Sequence, residues 1–141
     1  MASMTQKRFH TPREAETAFY AAFIKRDIDA MMAVWAENDN ISCVHPLGSI
    51  VTGAVAVRES WESIFRHSPD MQFMITERSR TQNGEIAVHI VEEHIRAKNE
   101  PPSAPIQVTN VYRLTEAGWR MILHHASPAS PPAKTESKTL H

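Results

Sequence analysis

Apolar positions early in the chain recur with a helical period. Ala15, Ala18, Phe19, Ala22 and Phe23 fall at i, i+3, i+4, i+7 and i+8, and Tyr20 and Ile24 widen the stripe. Thr11-Pro12-Arg13-Glu14 supplies a start signal: a capping hydroxyl, proline at the first helical position and glutamate at the third. Lys25-Arg26 place positive charge at the helix end, where the dipole favours it. Asp27 reads as the N-cap of a shorter second helix whose Ile28, Met31, Met32 and Trp35 share a face. After a turn at Glu37-Asn38-Asp39-Asn40, the stretch from Ile41 to Pro46 alternates as a strand, with Ile41, Cys43 and His45 on one side. Gly48 and Gly53 bracket a turn region. A third helix is predicted from Ala54 to Arg66, with Val57, Trp61, Ile64 and Phe65 as its stripe.

From Met71 the period falls to two. Met71, Phe73 and Ile75 alternate with Gln72, Met74 and Thr76, and Asn83-Gly84 marks a hairpin leading to a strand over Glu85 to Lys98. A loop at Glu100-Pro101-Pro102-Ser103 precedes a strand with Ile106, Val108, Asn110, Tyr112 and Leu114 on one face. Glu116-Ala117-Gly118 turns into a last strand, Trp119 to Ala126. Helices first and an antiparallel meander last make an α+β layout. The expected organisation is a flexible lead-in over 1–10, one domain over 11–128 and a disordered Pro/Ser-rich tail over 129–141.

Composition narrows the function classes. A chain of 141 residues with 42% hydrophobic and 22% charged residues fits one ordinary domain. Its net charge of −1 gives no pull toward nucleic acid or an acidic membrane. One cysteine, Cys43, excludes an internal disulfide framework. No apolar stretch approaches a membrane span, and the polar start lacks a signal-peptide core. The expectation is a cytoplasmic domain without nucleic-acid or membrane partners.

The order of elements resembles the nuclear-transport-factor-2-like superfamily, and more closely its SnoaL-like and ketosteroid-isomerase-like members. The resemblance rests on Arg26-Asp27-Ile28-Asp29-Ala30, Val44-His45-Pro46-Leu47-Gly48, Val108-Thr109-Asn110-Val111-Tyr112, and the ending from Gly118-Trp119-Arg120-Met121 to His124-His125-Ala126-Ser127-Pro128. It implies a cone-shaped fold, with three helices closing a strongly curved sheet around a deep, mostly apolar pocket. It also implies a homodimer through the outer sheet face. Val91, Thr109 and Val111 are expected on that face, opposite the core residues.

In the ketosteroid isomerases the general-base aspartate stands where this chain has His45. Their oxyanion-hole aspartic acid stands at Asn110 and their tyrosine near Phe19, with Tyr20 one residue on. The replacements keep a chemical sense. A neutral imidazole accepts a proton, and an amide N–H₂ donates to a carbonyl or enolate oxygen. His45 and Asn110 are therefore the candidate catalytic pair. Phe19, Tyr20, Trp35, Trp61, Glu92, His94, Tyr112 and His125 are the candidate substrate-binding residues.

His89, Glu92, Glu93, His94, His124 and His125 are metal-ligand types, but nothing in their spacing enforces convergence, so no metal and no cofactor is expected. Cys43 and His45 are two strand residues apart, roughly 7 Å between Cα atoms, and Cys43 reads as a small core hydrophobe. The expected function is binding of a small apolar molecule, with proton-transfer chemistry of the isomerase, cyclase or lyase type on a carbonyl-bearing or ring-shaped ligand. The alternative is a non-catalytic ligand-binding or association domain.

Overall fold

The computed structural model describes residues 8–37, 40–101 and 104–129. Residues 1–7 of the expected lead-in, 130–141 of the expected tail, and 38–39 and 102–103 of the turns lie outside the described residues. Three helices precede the long strands: α1 (Pro12–Lys25), α2 (Ile28–Val34) and α3 (Ala54–His67). Thr11 caps α1 by accepting from Glu14 N, and Asp27 caps α2 by accepting from Ala30 N. Between these helices Arg26 takes a left-handed conformation (φ 56°), which turns the chain within a single residue. Its guanidinium then donates to Ser68 O at 2.8 Å and Asp70 Oδ1 at 2.7 Å, tying the bend to the segment after α3.

The six strands are β1 (Ser42–Val44), β2 (Val51–Thr52), β3 (Met71–Asn83), β4 (Ile86–Ala97), β5 (Ile106–Thr115) and β6 (Gly118–Pro128). They form one sheet in the order β2-β1-β6-β5-β4-β3. Every pairing is antiparallel except β1 with β6. The expected strand from Ile41 is shorter than its alternation suggests, because Pro46 and Leu47 turn the chain. The region between Gly48 and Gly53 also contains the small strand β2. Three helices on a mostly antiparallel, curved sheet constitute the expected α+β cone.

Two irregularities decide which side chains reach the helices. In β3 the register with β4 slips by one at Arg78, between Glu77 and Ser79. In β6 it slips at Ile122, so Val111 pairs with Leu123 while Tyr112 pairs with Met121. A bulge of this kind inverts the inward–outward alternation beyond it. Met121, His124 and Ala126 are consequently buried, whereas His125 is exposed.

β4 runs without a slip against β5 over residues 86–93, and Ala87, His89, Val91 and Glu93 face inward. Val91 is fully buried, which corrects its expected place on the outer face; Thr109 and Val111 are only partly buried. The core between sheet and helices is aromatic. Phe19 packs edge-on against Tyr20, Phe23 and Trp61 at centroid distances of 4.8, 6.2 and 5.6 Å.

Candidate functional site

The inner face of the sheet carries a row of polar and titratable residues where a core would ordinarily be apolar. Strand register places Cys43 beside His124, His124 beside Asn110, Asn110 beside His89 and His89 beside Arg80, so one row crosses five strands. Cys43, His124, Asn110 and His89 are at most 1% exposed. Groups this deep need partners, because an unmade hydrogen bond there costs about 1–3 kcal/mol.

Helix α1 supplies one partner through Tyr20. Its phenol donates to Glu93 Oε2 at 2.9 Å and accepts from Asn110 Nδ2 at 3.0 Å. Asn110 Oδ1 in turn lies 2.6 Å from His124 Nδ1. A carbonyl oxygen only accepts, so Nδ1 of His124 carries a hydrogen. All the donors therefore run one way, from His124 through Asn110 and Tyr20 to Glu93. The same logic leaves Nε2 of a neutral His124 as a bare acceptor.

His45 follows β1 and reaches the same region from the other side. Its ring stands edge-on to Trp61 at 4.6 Å and 6.3 Å from His124, with Trp61 5.6 Å from His124. Nε2 of His45 is 3.0 Å from Ser60 Oγ, whose hydroxyl donates to Val57 O at 2.7 Å. Since that hydroxyl hydrogen is committed, Nε2 is the donor and Nδ1 holds the lone pair. The two imidazoles are thus fixed in opposite tautomers.

Burial sets the charge states. It lowers His45 to about 4. It lowers His124 to about 3, with the nearby His45 and His125 adding to the effect. Both rings are neutral near pH 7. Burial raises Glu93 to about 7, against the opposing hydrogen bond from Tyr20. Cys43 approaches His45 Nε2 at 3.5 Å, closer than its spacing suggests because the two side chains lean together. Burial first, and the Glu93 charge second, push the thiol far up, so it stays a thiol and not a nucleophile.

Of the residues selected from the sequence, the structure gathers His45, Asn110, Phe19, Tyr20 and Trp61. Phe19 lies 5.0 Å from the His124 ring and 5.6 Å from Trp61. Tyr112 is buried but stands with His89, at 4.9 Å, and its hydroxyl has no hydrogen-bond partner. Trp35 is buried where the chain forms an isolated bridge with Met121, and its indole N–H is also unpartnered.

Glu92, His94 and His125 are not brought to this site. Glu92 and His94 point from the outer face of β4 and interact with each other at 3.6 Å, and Glu92 pairs with Arg78 at 2.9 Å. The β6 bulge turns His125 outward. Their inward neighbours Glu93 and His124, together with His89, are named from the sequence only as metal-ligand types and not as site residues. Among the described residues, no group of three or more His, Cys, Asp or Glu side chains is placed to hold a metal ion.

Comparison with known proteins bears on the family and the fold. A family model for a SnoaL-like domain matches residues 13–131. A proposed calcium/calmodulin-dependent protein kinase type II association domain from Thiobacillus denitrificans is 41% identical, with a TM-score of 0.85 over 88% of this chain and 99% of that one. A proposed dehydratase of the NTF2-like family from Streptomyces avermitilis is 28% identical, with a TM-score of 0.74 over 83% of this chain and 92% of that one. The F-box protein SKIP8 of Arabidopsis thaliana is 27% identical over 79% of this chain, which spans only 46% of that longer protein.

Proposed function

We propose that this chain, which belongs to the SnoaL-like domain family, binds a small, largely apolar molecule with a carbonyl or ring-attached oxygen and moves a proton on it. The observation that carries this reading is the one-way chain from His124 to Glu93, facing a second neutral imidazole, His45, across an aromatic wall. A core built only for stability gains little from so many buried polar groups, each costly to desolvate.

In the proposed step His45 Nδ1 takes a proton from carbon next to the carbonyl. The C–H electron pair moves into the enolate, and the developing charge rests on oxygen. A base lowered to about 4 suits a substrate whose proton is already acidified, such as one flanked by two carbonyls or a conjugated ring. Tyr20 is the oxygen's donor when Glu93 carries its own proton. Glu93 then donates to the phenol oxygen, and the phenol hydrogen turns toward the ligand. Asn110 already donates one hydrogen to Tyr20 and keeps its second amide hydrogen for the same oxygen.

The test is a ligand screen by thermal shift on wild type, His45→Ala and Tyr20→Phe, followed by deuterium exchange at carbon on any hit. Stabilising ligands that lose their effect in both variants, with exchange lost in His45→Ala, support the reading. Ligands that stabilise all three proteins equally overturn it.

A second reading is association of two copies through the outer sheet face. Its support is the 41% identity to the proposed kinase association domain and the composition of that face on β4, where Ile86, Val88 and Ile90 alternate with the buried residues. Light scattering on wild type and Ile90→Asp tests it: a dimer that the aspartate splits supports pairing there, and a dimer it leaves intact places the contact elsewhere.

A further inference from the structure

We propose that the groove between the start of α1 and strands β3 and β4 is a second binding site, distinct from the interior chain, that takes the oxyanion group of a small molecule, a carboxylate or a phosphate. The groove encloses about 380 Å³ and is lined by Thr11, Arg13, Arg80, Thr81, Gln82 and His89, with Pro12 between the first two. That space falls within the size of small-ligand sites. Five of those six side chains, all but His89, whose Nδ1–H is given to Glu16, are able to donate a hydrogen bond into the space, and among the described residues no carboxylate lines it, so its chemistry calls for an acceptor.

One donor there lacks a partner. Arg80 Nε is buried with no acceptor, although the far end of the same guanidinium pairs with Glu77. An oxyanion entering beside Arg80 would supply that acceptor, in the two-point contact that guanidinium geometry favours, once the side chain turns its buried Nε toward the groove. Beside it the buried His89 is held by Glu16, whose Oε1 is 2.5 Å from Nδ1, so the ring is fixed at the base of the groove.

The β3 bulge is what puts the arginine here. If Arg78 paired in regular register with β4, Ser79 would stand opposite His89; because Arg78 bulges out, Arg80 takes that place. Bulges commonly re-aim a side chain in this way beside binding sites. The site does not depend on the free amides of a helix start. Thr11 already accepts from Glu14 N at 3.1 Å, and Glu14 accepts from His10 N at 2.7 Å.

The test is NMR titration of the isotope-labelled protein with inorganic phosphate and, separately, with benzoate, at ionic strength held constant with chloride. The readouts are the Arg80 Nε–H and His89 ring resonances. The expected result is saturable shifts of both with at least one probe. Arg80→Gln should weaken binding at least tenfold, while Arg96→Gln, an exposed arginine on β4 away from the groove, leaves it unchanged. Preference for phosphate or for benzoate identifies which oxyanion the site takes. If Arg80→Gln does not fold, Arg80→Lys decides: it keeps the charge but loses the planar Nε–H, and affinity should fall several-fold. Linear shifts with both probes, or affinity unchanged in the arginine variant that folds, would overturn the proposal.

Discussion

At the scale of single residues, the buried hydrogen bonds set what each substitution costs. Tyr20→Phe removes one oxygen but strands two groups, the Asn110 amide and Glu93. The expected loss is about 1–3 kcal/mol in urea unfolding, at the upper end if Glu93 is charged. Glu93 also links stability to pH. Its carboxyl rises from 4.5 to about 7 on folding, so the folded state holds the proton more tightly. Its stabilising contribution is complete below about 4.5, declines as pH rises to about 7, and amounts to about 3 kcal/mol. Glu93→Gln keeps an acceptor for Tyr20 and should erase that slope, making the variant the more stable protein at pH 8. A wild-type stability curve that does not steepen between pH 6 and 7 relative to Glu93→Gln would contradict this assignment.

At the scale of elements, the sequence exposes the helices more faithfully than the sheet faces. Thr11 and Asp27 cap where the local pattern says they should, because a cap is a contact over three residues. Asp27→Ala should cost about 1 kcal/mol of stability by chemical denaturation. Facing in β6 is less legible. Trp119 and Met121 are inward, and simple alternation from them carries on to His125; the extra residue at Ile122 delivers His124 instead.

In β4 the hydrophobic pattern itself misleads. The outer face has Ile86, Val88 and Ile90, while the inner one has Ala87, His89, Val91 and Glu93. The more apolar row is the one turned away from the helices. Asn110 was recognisable as a polar residue on a core face, but its partners Tyr20 and His124 lie 90 and 14 residues away, beyond any local pattern. Deleting Ile122 should remove the bulge and leave a regular strand in which Met121 and His124 still face inward, opposite Tyr112 and Asn110. The expected outcome is a protein that still unfolds cooperatively by calorimetry, since the row across five strands is kept; loss of cooperative unfolding would contradict this reading of the register.

At the scale of the molecule, one sheet face holds two neutral imidazoles at physiological pH and resists acid poorly. His45 and His124 both titrate well below the ordinary 6.5 in the folded state, so their contribution to stability is present above 6.5 and is lost as pH falls toward about 4 and 3. Glu93 gains stability over part of that range, but one carboxyl offsets only one of the two imidazoles. Midpoint temperatures should therefore fall between pH 6.5 and 4. Among the described residues no helix is long and apolar enough to cross a membrane. The two readings proposed for this chain concern opposite sides of the same sheet.

The account stands or falls on the direction of the interior hydrogen bonds, and histidine ring nitrogens report it directly. A long-range proton–nitrogen correlation spectrum at pH 7 distinguishes the two neutral tautomers and the charged form for each ring. The account predicts both rings neutral, with His124 protonated on Nδ1 and His45 on Nε2. A charged imidazole at either position would contradict the assigned charge states, and the opposite tautomer at His124 would contradict the chain itself, because the donors would then no longer run from His124 to Glu93.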